Sequence, residues 1–498
     1  MQQSKIPIRA IVGRFAMEYA SQTMEVVLQE VPFAFCGIIS TGVDPRYFRA
    51  IPQEHQEWFI SGEVRNCHYR GVDWSGLEPL HEELLEQMSH CEALFMEIVS
   101  RLEWKRKISY SVRKRWYLRH LRFWNDYLTR HSINLYLAAW VPHEIPDVII
   151  YELCKLRGIP VSYIHTSYVR DCCFMERDWW ESAKQISPRY EELLTQYVGA
   201  DPLTIPLAKQ FEQRYRALTR KEGELPPIEE AAPPPLDIQF RQSLFQTLVV
   251  KPFTLLKYLA LYVTPDGIRR FALAWERHHL LARCRAFYAD HAVIPDLTVP
   301  FVYLPLHFQP EASTVPLGGR YADQVLVAQM LHATLPEGVL IYVKEHPHES
   351  GAQKRDLAFY EDFLAIPRVR FVPTTFDTFV LREHCQAIAT VTGTAGFEGL
   401  FRGKPVFLFG HCFYQYARGA HRIRTVDDCR RAVEAIFSRK EYPTSLECRL
   451  FLKAMEDTCI QGSTDPFCFQ ISHRTRDENI HACSQGIIGE LKTMFPVG

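Results

Sequence analysis

The sequence predicts an α/β protein of two domains, each built around a parallel, doubly wound sheet. The chain of 498 residues is too long for one ordinary hydrophobic core. Short apolar runs alternate with helical patterns in both halves of the sequence, as βαβ units require. The stretch 387–409 shows such a unit most clearly, because it reads as strand, tight turn, helix and strand: AIATVTGTAGFEGLFRGKPVFLF.

The first domain begins with alternating strands and helices. Short apolar runs predict its strands, and longer patterns of helical spacing predict the helices between them. The predicted strands cover 8–12, 33–39, 135–140 and 158–164, and the predicted helices cover 17–29 and 149–156.

Polar side chains follow two of these strands. His143 and Glu144 come after the strand at 135–140, and the segment from His165 to Arg170 comes after the strand at 158–164. The carboxyl ends of parallel strands open onto the ligand crevice, so we expect these residues at its mouth. His143 and Glu144 also suit the start of a helix, where an acidic residue is favourable.

A basic and aromatic segment occupies 101–124, RLEWKRKISYSVRKRWYLRHLRFW. Runs of charge usually form the solvated face of a helix. The interleaved tryptophan and tyrosine residues leave open the binding of an anionic glycan or a lipid headgroup. Its cationic residues include Lys105, Arg106, Lys107, Arg113, Lys114, Arg115, Arg119 and Arg122.

The most linker-like segment is GELPPIEEAAPPPLD at 223–237, because its proline and glutamate density cannot build a packed core. The apolar stretch at 243–263 is interrupted by Lys251, Pro252 and Lys257, which predicts a buried or interfacial helix rather than a membrane span. The predicted organisation is a first domain at 1–222, the linker at 223–237, a helical connection at 238–296, a second domain at 297–440 and a helical C-terminal segment at 441–498.

The second domain alternates strands and helices with short connections, which predicts a parallel sheet with right-handed crossovers. Its predicted strands cover 300–305, 339–344, 369–372, 387–391 and 406–409, and its helices cover 321–334, 353–364 and 376–384. The strand ends carry histidines, carboxylates, hydroxyl groups and glycines, as expected of a nucleotide-sugar site. These rim residues are His307, Gln309, Pro310, Glu311, Glu345, His346, Pro347, Thr374, Thr375, Thr392, Gly393, Thr394, Gly410 and Tyr414.

The turn Thr392-Gly393-Thr394 lies where a helix begins, so its backbone N–H groups are expected to face a ligand above the sheet. The helix dipole favours an anion at such a turn, and a phosphate fits there. A tight packing turn between strand and helix gives the same pattern, so the residues alone leave both interpretations open.

The composition argues against several classes of function. A net charge of -1 does not suit a surface built to bind polyanions, so no nucleic-acid partner is expected. The 14 cysteines include no C-x-x-C pair, so neither a zinc ribbon nor a thioredoxin-type site is predicted, and no metal is expected. The cysteine usage and an N-terminus without a signal-peptide pattern predict the cytoplasm.

An ordered set of motifs spans 301–416: YLPLHFQPEAST, YADQ, VKEHP and TGTAGFEGLFRGKPVFLFG followed by FY. This combination resembles the bacterial capsule polysaccharide synthesis family, which includes the Kdo transferases of capsule export systems. The resemblance implies a GT-B fold, in which two Rossmann-like domains face each other across a cleft. It also implies that the C-terminal domain holds a CMP-activated sugar as donor substrate, with no metal or cofactor required.

The resemblance further implies roles for individual residues. The donor phosphate is expected to contact His346 and the turn at 392–394, Glu398 to recognise the ribose or base, and Glu311 to lie near the reacting sugar. Related members often have aspartate at the position of Glu311. The donor-site residues are Gln309, Lys344, His346, Pro347, Thr392, Gly393, Thr394 and Glu398, the catalytic candidates are Glu311, His346 and Glu144, and the acceptor-side candidates are His143, His165 and Arg170.

The chemistry of glycosyl transfer suits these residue types. The departing phosphate needs relief of negative charge, and a carboxylate is needed to take a proton or to stabilise an oxocarbenium-like centre. Two structural alternatives stay open, since His346 could cap a strand end and Glu311 could pair with Arg320.

The expected function is a glycosyltransferase of capsule or surface polysaccharide biosynthesis. It would transfer Kdo or a related acidic sugar from a CMP-activated donor to a glycan or glycolipid, with a peripheral contact to an anionic membrane at its inner face. Two other functions stay open: a nucleotide-sugar epimerase of the same architecture, and a non-catalytic scaffold of a capsule assembly complex.

Overall fold

The computed structural model describes residues 7–15, 18–40, 47–103, 107–220, 264–309, 311–346, 355–465, 468–469 and 472–496. Several predicted features lie outside the described residues: the linker at 223–237, the apolar stretch at 243–263, and Trp104, Lys105, Arg106, Pro310 and Pro347.

Two six-stranded sheets organise the chain. The first has the strand order β3-β2-β1-β4-β5-β6 and the second has the order β12-β11-β10-β7-β8-β9. The strands are β1 (Ile8–Gly13), β2 (Phe33–Ser40), β3 (Gln56–Ile60), β4 (Leu135–Ala138), β5 (Val161–Thr166), β6 (Cys173–Glu176), β7 (Phe301–Pro305), β8 (Leu340–Lys344), β9 (Val369–Phe371), β10 (Ala387–Thr390), β11 (Val406–Leu408) and β12 (Ala420–Arg422).

The second sheet is parallel throughout, and the first is parallel except for the pairing of β5 with β6. Strand order reverses between β1 and β4 in the first sheet and between β7 and β10 in the second. The connections on the two sides of such a switch point diverge, which leaves a crevice above the carboxyl ends of the strands. The predicted class is therefore confirmed: two doubly wound α/β units of the GT-B type.

Helices flank both sheets. They are α1 (Glu18–Glu30), α2 (Ser61–Arg65), α3 (Glu82–Gln87), α4 (Ser89–Val99), α5 (Tyr110–Arg130), α6 (Ile145–Leu156), α7 (Ile186–Gln196), α8 (Lys209–Thr219), α9 (Pro265–His291), α10 (Val325–Thr334), α11 (Leu357–Leu364), α12 (Thr378–His384), α13 (Thr394–Leu400), α14 (Val426–Val433), α15 (Ser445–Thr458) and α16 (Arg476–Met494). Within the described residues, none combines the length and the apolar composition that crossing a bilayer demands.

Local sequence accounts for many of the helix starts. Thr425, Thr444 and Thr475 each form a capping box with the acidic residue three positions later. Asp377 caps α12 by accepting a hydrogen bond from the Phe379 N–H. These caps satisfy N–H groups that have no partner inside the helix, so they fix where each helix begins.

We call the first sheet with the helices on its two faces the first lobe, and the second sheet with its helices the second lobe. Successive side chains of a strand point to opposite faces of the sheet. Because helices cover both faces of each sheet, the side chains on both faces are buried. Tyr136 and Leu137 of β4 lie in different core clusters on opposite faces, as do Tyr303 and Leu304 of β7.

The chain crosses between the lobes. Helices α7 and α8 follow the first sheet in sequence but share a core with the second lobe, where the Tyr190 hydroxyl donates a hydrogen bond to the Glu447 carbonyl at 3.0 Å. Helix α16 returns in the opposite direction and packs on α1, with Ile487 and Leu491 buried beside Val27 of the first lobe. The predicted C-terminal helical segment thus contributes to both lobes.

Some element boundaries differ from the sequence predictions. The helix predicted at 321–334 begins at Val325, because the Asp323 carboxylate accepts a hydrogen bond from the Val325 N–H and Gly319–Ala322 forms a separate 3-10 turn. The helix predicted at 149–156 begins earlier, at Ile145, with Pro146 in its first turn, where the missing N–H is harmless.

Candidate functional site

The switch point of the second sheet is held together by a buried histidine. His307 follows β7, and its Nε2 accepts a hydrogen bond of 3.1 Å from the backbone N–H of Thr392, which follows β10. Burial lowers the pKa of His307 to about 4, and the nearby Arg355 and His346 act in the same direction. The neutral imidazole can therefore keep Nε2 as an acceptor, and His307 anchors the turn rather than facing a ligand.

The turn at 392–394 is shaped for close approach. A Cβ on Gly393 would lie 2.8 Å from the Thr390 hydroxyl oxygen and 3.2 Å from His307 Nε2, so only glycine fits without a shift of neighbouring atoms. The Gly393 N–H donates to the Thr390 hydroxyl at 3.0 Å, and the Tyr414 hydroxyl donates to the Gly393 carbonyl at 2.7 Å. These contacts make the turn rigid.

Two backbone donors of this turn remain open. Among the described residues, the N–H groups of Thr394 and Ala395 meet no acceptor, and the Thr394 side chain is exposed. Such N–H groups at a helix start can bind an anion directly. Since α13 is only seven residues long, the individual N–H groups matter more than the helix dipole.

Glu311 lies in the loop between the lobes. The Glu311 carbonyl accepts hydrogen bonds from the Thr314 and Val315 N–H groups, which folds this loop into a turn. The Glu311 side chain is solvent-exposed, yet the surrounding protein atoms desolvate it enough to raise its pKa, and the charge of Arg101 opposes that rise. Arg320 acts instead on His90 and Glu97.

Two polar residues follow β8: Glu345 is buried and supports the backbone, and His346 is half-buried. Arg355 pairs with the buried Glu345 carboxylate, which also accepts a hydrogen bond of 2.7 Å from the Tyr360 hydroxyl. The same carboxylate accepts from the His346 N–H at 2.7 Å, so Glu345 orients the backbone that carries His346. The half-buried His346 ring lies 5.8 Å from the Phe308 ring, beside the loop that follows β7.

Three other predicted donor-site residues lie on this side of the cleft. Lys344 is buried at the end of β8, and burial lowers its pKa. The Glu398 carboxylate is paired with Arg382, and the Gln309 side-chain amide donates to the Ala322 carbonyl. Glu398 and Gln309 therefore have structural partners, while Pro347 lies outside the described residues.

The first lobe presents His143 and Glu144 after β4. His143 Nδ1–H donates to the Val141 carbonyl at 2.7 Å, and burial together with Arg101 lowers the pKa of His143. Glu144 is the N-cap residue of α6 and pairs with Arg65 at 3.0 Å. Burial acts to raise the pKa of Glu144, but the surrounding arginines hold it below its usual value, so the carboxylate stays ionised.

The loop after β5 separates the remaining acceptor-side candidates. His165 Nδ1 lies 3.2 Å from a carboxylate oxygen of the buried Glu176. Arg170 contacts His473 of the C-terminal segment. Between them, Tyr168 crosses the cleft, and its hydroxyl donates to the Thr392 carbonyl at 2.8 Å.

Arg101 also joins the lobes, although it is not among the site residues predicted from the sequence. It follows α4, and its guanidinium donates to the His143 carbonyl at 2.7 Å and to the Val315 carbonyl at 2.8 Å. Arg101 belongs to the basic segment 101–124, and a run of cationic residues does not indicate which of them is buried. Tyr168 lay inside the predicted segment from His165 to Arg170, and His307 lay on the predicted rim.

The predicted sites thus converge only in part. Glu311 follows β7 and the turn at 392–394 follows β10, the two strands at the switch point, while His346 follows the neighbouring strand β8. Arg101 connects the Glu311 loop to His143. The described residues contain no group of three or more His, Cys, Asp or Glu side chains placed to hold a metal ion. The turn at 392–394 offers N–H donors for an anion, and Glu311 is a carboxyl group of raised pKa. Such groups suit acid–base chemistry at a phosphorylated ligand.

Known proteins match one region of this chain by sequence, and solved structures align with most of its length at low sequence identity. Residues 300–450 match the model of a family described as capsule polysaccharide biosynthesis protein. A comparison with curated proteins gave no match.

Two solved structures illustrate the structural neighbours. The β-Kdo 2,7-transferase KpsC of Thermosulfurimonas dismutans is 12% identical and aligns over 78% of this chain and 95% of its own, with a TM-score of 0.30. The UDP-GlcNAc 2-epimerase of Methanocaldococcus jannaschii is 9% identical and aligns over 89% of this chain and 98% of its own, with a TM-score of 0.25. The match at 300–450 contains the motifs of 301–416 and confirms the resemblance to the capsule polysaccharide family seen in the sequence.

Proposed function

We propose that this protein is a glycosyltransferase of surface polysaccharide synthesis, which transfers an acidic sugar such as Kdo from a CMP-activated donor to a glycan or glycolipid acceptor. One observation carries the proposal: the family match at 300–450 includes the loops at the switch point of the second sheet. Those loops carry Glu311 and the turn at 392–394, and His346 follows the neighbouring strand β8 within the same family region.

The donor phosphate would bind at the turn of 392–394. The open N–H groups of Thr394 and Ala395 supply two hydrogen bonds, and His346 supplies a third donor on the opposite side of the crevice. As the bond to the sugar breaks, negative charge builds on the phosphate, and fixed donors that need no reorganisation stabilise it. Glu398 would recognise the ribose or the base only by sharing its carboxylate with Arg382.

Glu311 would act on the acceptor or on the reacting sugar. The raised pKa of Glu311 brings this carboxyl closer to neutral pH, where a group that must take up a proton works best. Its loop lies between the lobes, so Glu311 can face an acceptor bound against His143 while the donor stays in the second lobe. The donor sugar needs no cofactor in this scheme.

The experiment is a thermal-shift comparison of CMP, UMP, UDP and GDP, followed by an assay of CMP release from a CMP-sugar with and without a glycan acceptor. Selective binding of CMP raises the melting temperature by mass action. Release that depends on the acceptor supports transfer. A changed sugar without release of nucleotide indicates an epimerase, and binding of none of the nucleotides indicates a scaffold; both results contradict the proposal.

The proposal includes a peripheral contact with an anionic membrane, because a growing capsule glycan starts on a lipid. Within the basic segment, Arg113 pairs with Glu103 and Lys114 pairs with Glu92, whereas Arg115 is exposed. Each free cation near an anionic leaflet contributes about 1 kcal/mol. Flotation with anionic liposomes at low and high salt tests the contact, and absence of binding at low salt removes this part of the proposal.

A further inference from the structure

Arg101 is connected to both sides of the cleft. Its side chain donates hydrogen bonds to the carbonyl of His143, at the switch point of the first sheet, and to the carbonyl of Val315, in the loop after β7. These two acceptors are far apart in the sequence and belong to different lobes. One planar guanidinium can satisfy both because its N–H groups point in fixed, diverging directions.

The loop that Arg101 holds is the one that carries Glu311. Val315 and Leu317 are buried in the same core cluster as Ile98 and Val99 at the end of α4, directly before Arg101. The loop is thus docked on the first lobe by apolar contact, and the hydrogen bond from Arg101 fixes its carbonyl in that position. Glu311 opens the turn that this docking orients, through the bond from the Val315 N–H to the Glu311 carbonyl.

Acidic and basic side chains act on Arg101 together with its burial. Glu144 and Glu311 raise its pKa, whereas burial and Arg65 lower it. Arginine keeps its proton under these conditions. The charge of Arg101 in turn acts to lower the pKa of Glu311.

We propose that Arg101 is a positioning residue for transfer: its hydrogen bonds to the His143 and Val315 carbonyls hold the Glu311 loop against the first lobe. This inference rests on the proposed function for its catalytic consequence. The docking of the loop by Arg101 stands apart from that function and can be measured without any substrate.

The test compares Arg101→Met, Arg101→Lys and the control Arg122→Met. Methionine removes the guanidinium donors and the positive charge. Lysine keeps the charge but has a single ammonium group, which cannot reach two carbonyls that lie in different directions. Arg122 is the matched control, because its guanidinium also donates to two carbonyls, those of Leu77 and Glu78, but both lie in the first lobe.

Hydrogen exchange of the amides in 311–318 is the first measurement. We expect faster exchange in Arg101→Met and Arg101→Lys and no change in Arg122→Met. This result supports the docking role even if no CMP-sugar is transferred, so failure of the proposed function and failure of this inference remain distinct. Unchanged exchange in both Arg101 variants overturns it, and the lysine variant decides the point if the methionine variant does not fold.

The split between kcat and KM is the second measurement. We expect kcat to fall on the order of 10- to 100-fold in Arg101→Met and Arg101→Lys because the Glu311 loop is misplaced. The KM for the CMP-sugar should stay near the wild-type value, because the hydrogen bonds of Arg101 go to the carbonyls of His143 and Val315 and not to the turn at 392–394. A raised KM with an unchanged kcat in both variants overturns the positioning role.

Discussion

The hydroxyl of Tyr168 in the first lobe donates a hydrogen bond of 2.8 Å to the carbonyl oxygen of Thr392 in the second lobe. The N–H of the same residue, Thr392, donates to His307, and its hydroxyl donates to the Ser313 carbonyl at 2.8 Å. One residue at the proposed phosphate turn is therefore held from three directions. The turn is rigid because three parts of the chain contact it.

We expect Tyr168→Phe to weaken CMP binding. The variant leaves the Thr392 carbonyl without its donor, and a lost neutral hydrogen bond costs about 0.5–1.5 kcal/mol. Isothermal titration with CMP measures the effect. Tyr190→Phe is the matched control, because Tyr190 also donates to a backbone carbonyl, that of Glu447, away from the crevice. Equal CMP affinity in the two variants would argue against a link between Tyr168 and the donor site.

We expect His346→Ala to reduce CMP affinity more strongly. The variant removes a hydrogen bond to a charged phosphate, which contributes about 1.5–3 kcal/mol. His291→Ala serves as control, since its exposed ring donates only to the Phe287 carbonyl within α9. Unchanged CMP affinity together with unchanged turnover in His346→Ala contradicts the assignment.

Glu311→Gln should abolish turnover while CMP binding persists, because a carboxylate that acts in the transition state contributes little to binding of the ground state. The pH dependence follows from the pKa of Glu311, which burial raises. The active carboxylate is lost as the pH falls through this raised pKa, so the wild-type rate should fall on the acid side at a higher pH than an ordinary glutamate gives. A variant that binds CMP poorly yet turns over normally at saturation would make Glu311 a binding residue.

Gly393→Ala should destabilise the second lobe. The new Cβ would meet the Thr390 hydroxyl oxygen at 2.8 Å, and overpacking of this kind costs about 1–3 kcal/mol. Gly489→Ala is the control, because a Cβ there meets nothing within 4 Å and the residue lies inside α16, where alanine is favoured by up to about 1 kcal/mol. Urea unfolding of both variants tests the prediction, and equal stability of the two contradicts it.

Three buried histidines should make the fold sensitive to acid. Burial lowers the pKa of His307 to about 4 and those of His120 and His411 to about 3. An unfolded histidine titrates at about 6.5, so below that pH the unfolded chain binds protons that the folded chain does not. The free energy of unfolding should therefore decline from about pH 6.5 towards pH 4, by about 1 kcal/mol per pH unit for each histidine.

Urea unfolding at a series of pH values measures this decline. His307→Gln removes one of the three groups while keeping an acceptor for the Thr392 N–H, so its stability should fall less steeply with acid. An identical slope in the variant and the wild type would show that His307 does not contribute.

The sequence predicted the features that depend on local pattern. The strand predicted at 300–305 is β7 at Phe301–Pro305, and the turn at 392–394 opens α13 as expected. An apolar run predicts the strand, and a glycine between two threonines predicts the turn, so a few neighbouring residues suffice for each prediction. The parallel pairing of the strands follows from the same pattern, because parallel strands are usually joined through a helix.

The residues that the sequence could not reveal act through distant partners. Arg101 binds carbonyls 42 and 214 positions away, and Tyr168 binds one 224 positions away. The residues next to Arg101 in the sequence do not distinguish it from the other cationic residues of 101–124. Glu345 was predicted to lie on the functional rim because it follows a strand. The structure gives it a supporting role, since it pairs with Arg355 and accepts a hydrogen bond from the His346 N–H.

The packing of α16 on α1 bears on how the chain folds as it is made. Ile487 and Leu491 complete the core that Val27 and Leu28 begin, so the first lobe lacks part of its interior until the ribosome has passed residue 491. The part of α1 that α16 covers therefore lacks its partner until late in synthesis, and contacts of such long sequence separation form slowly. The first lobe is the first to be made, but its core is completed only by the last helix of the chain that the structure describes.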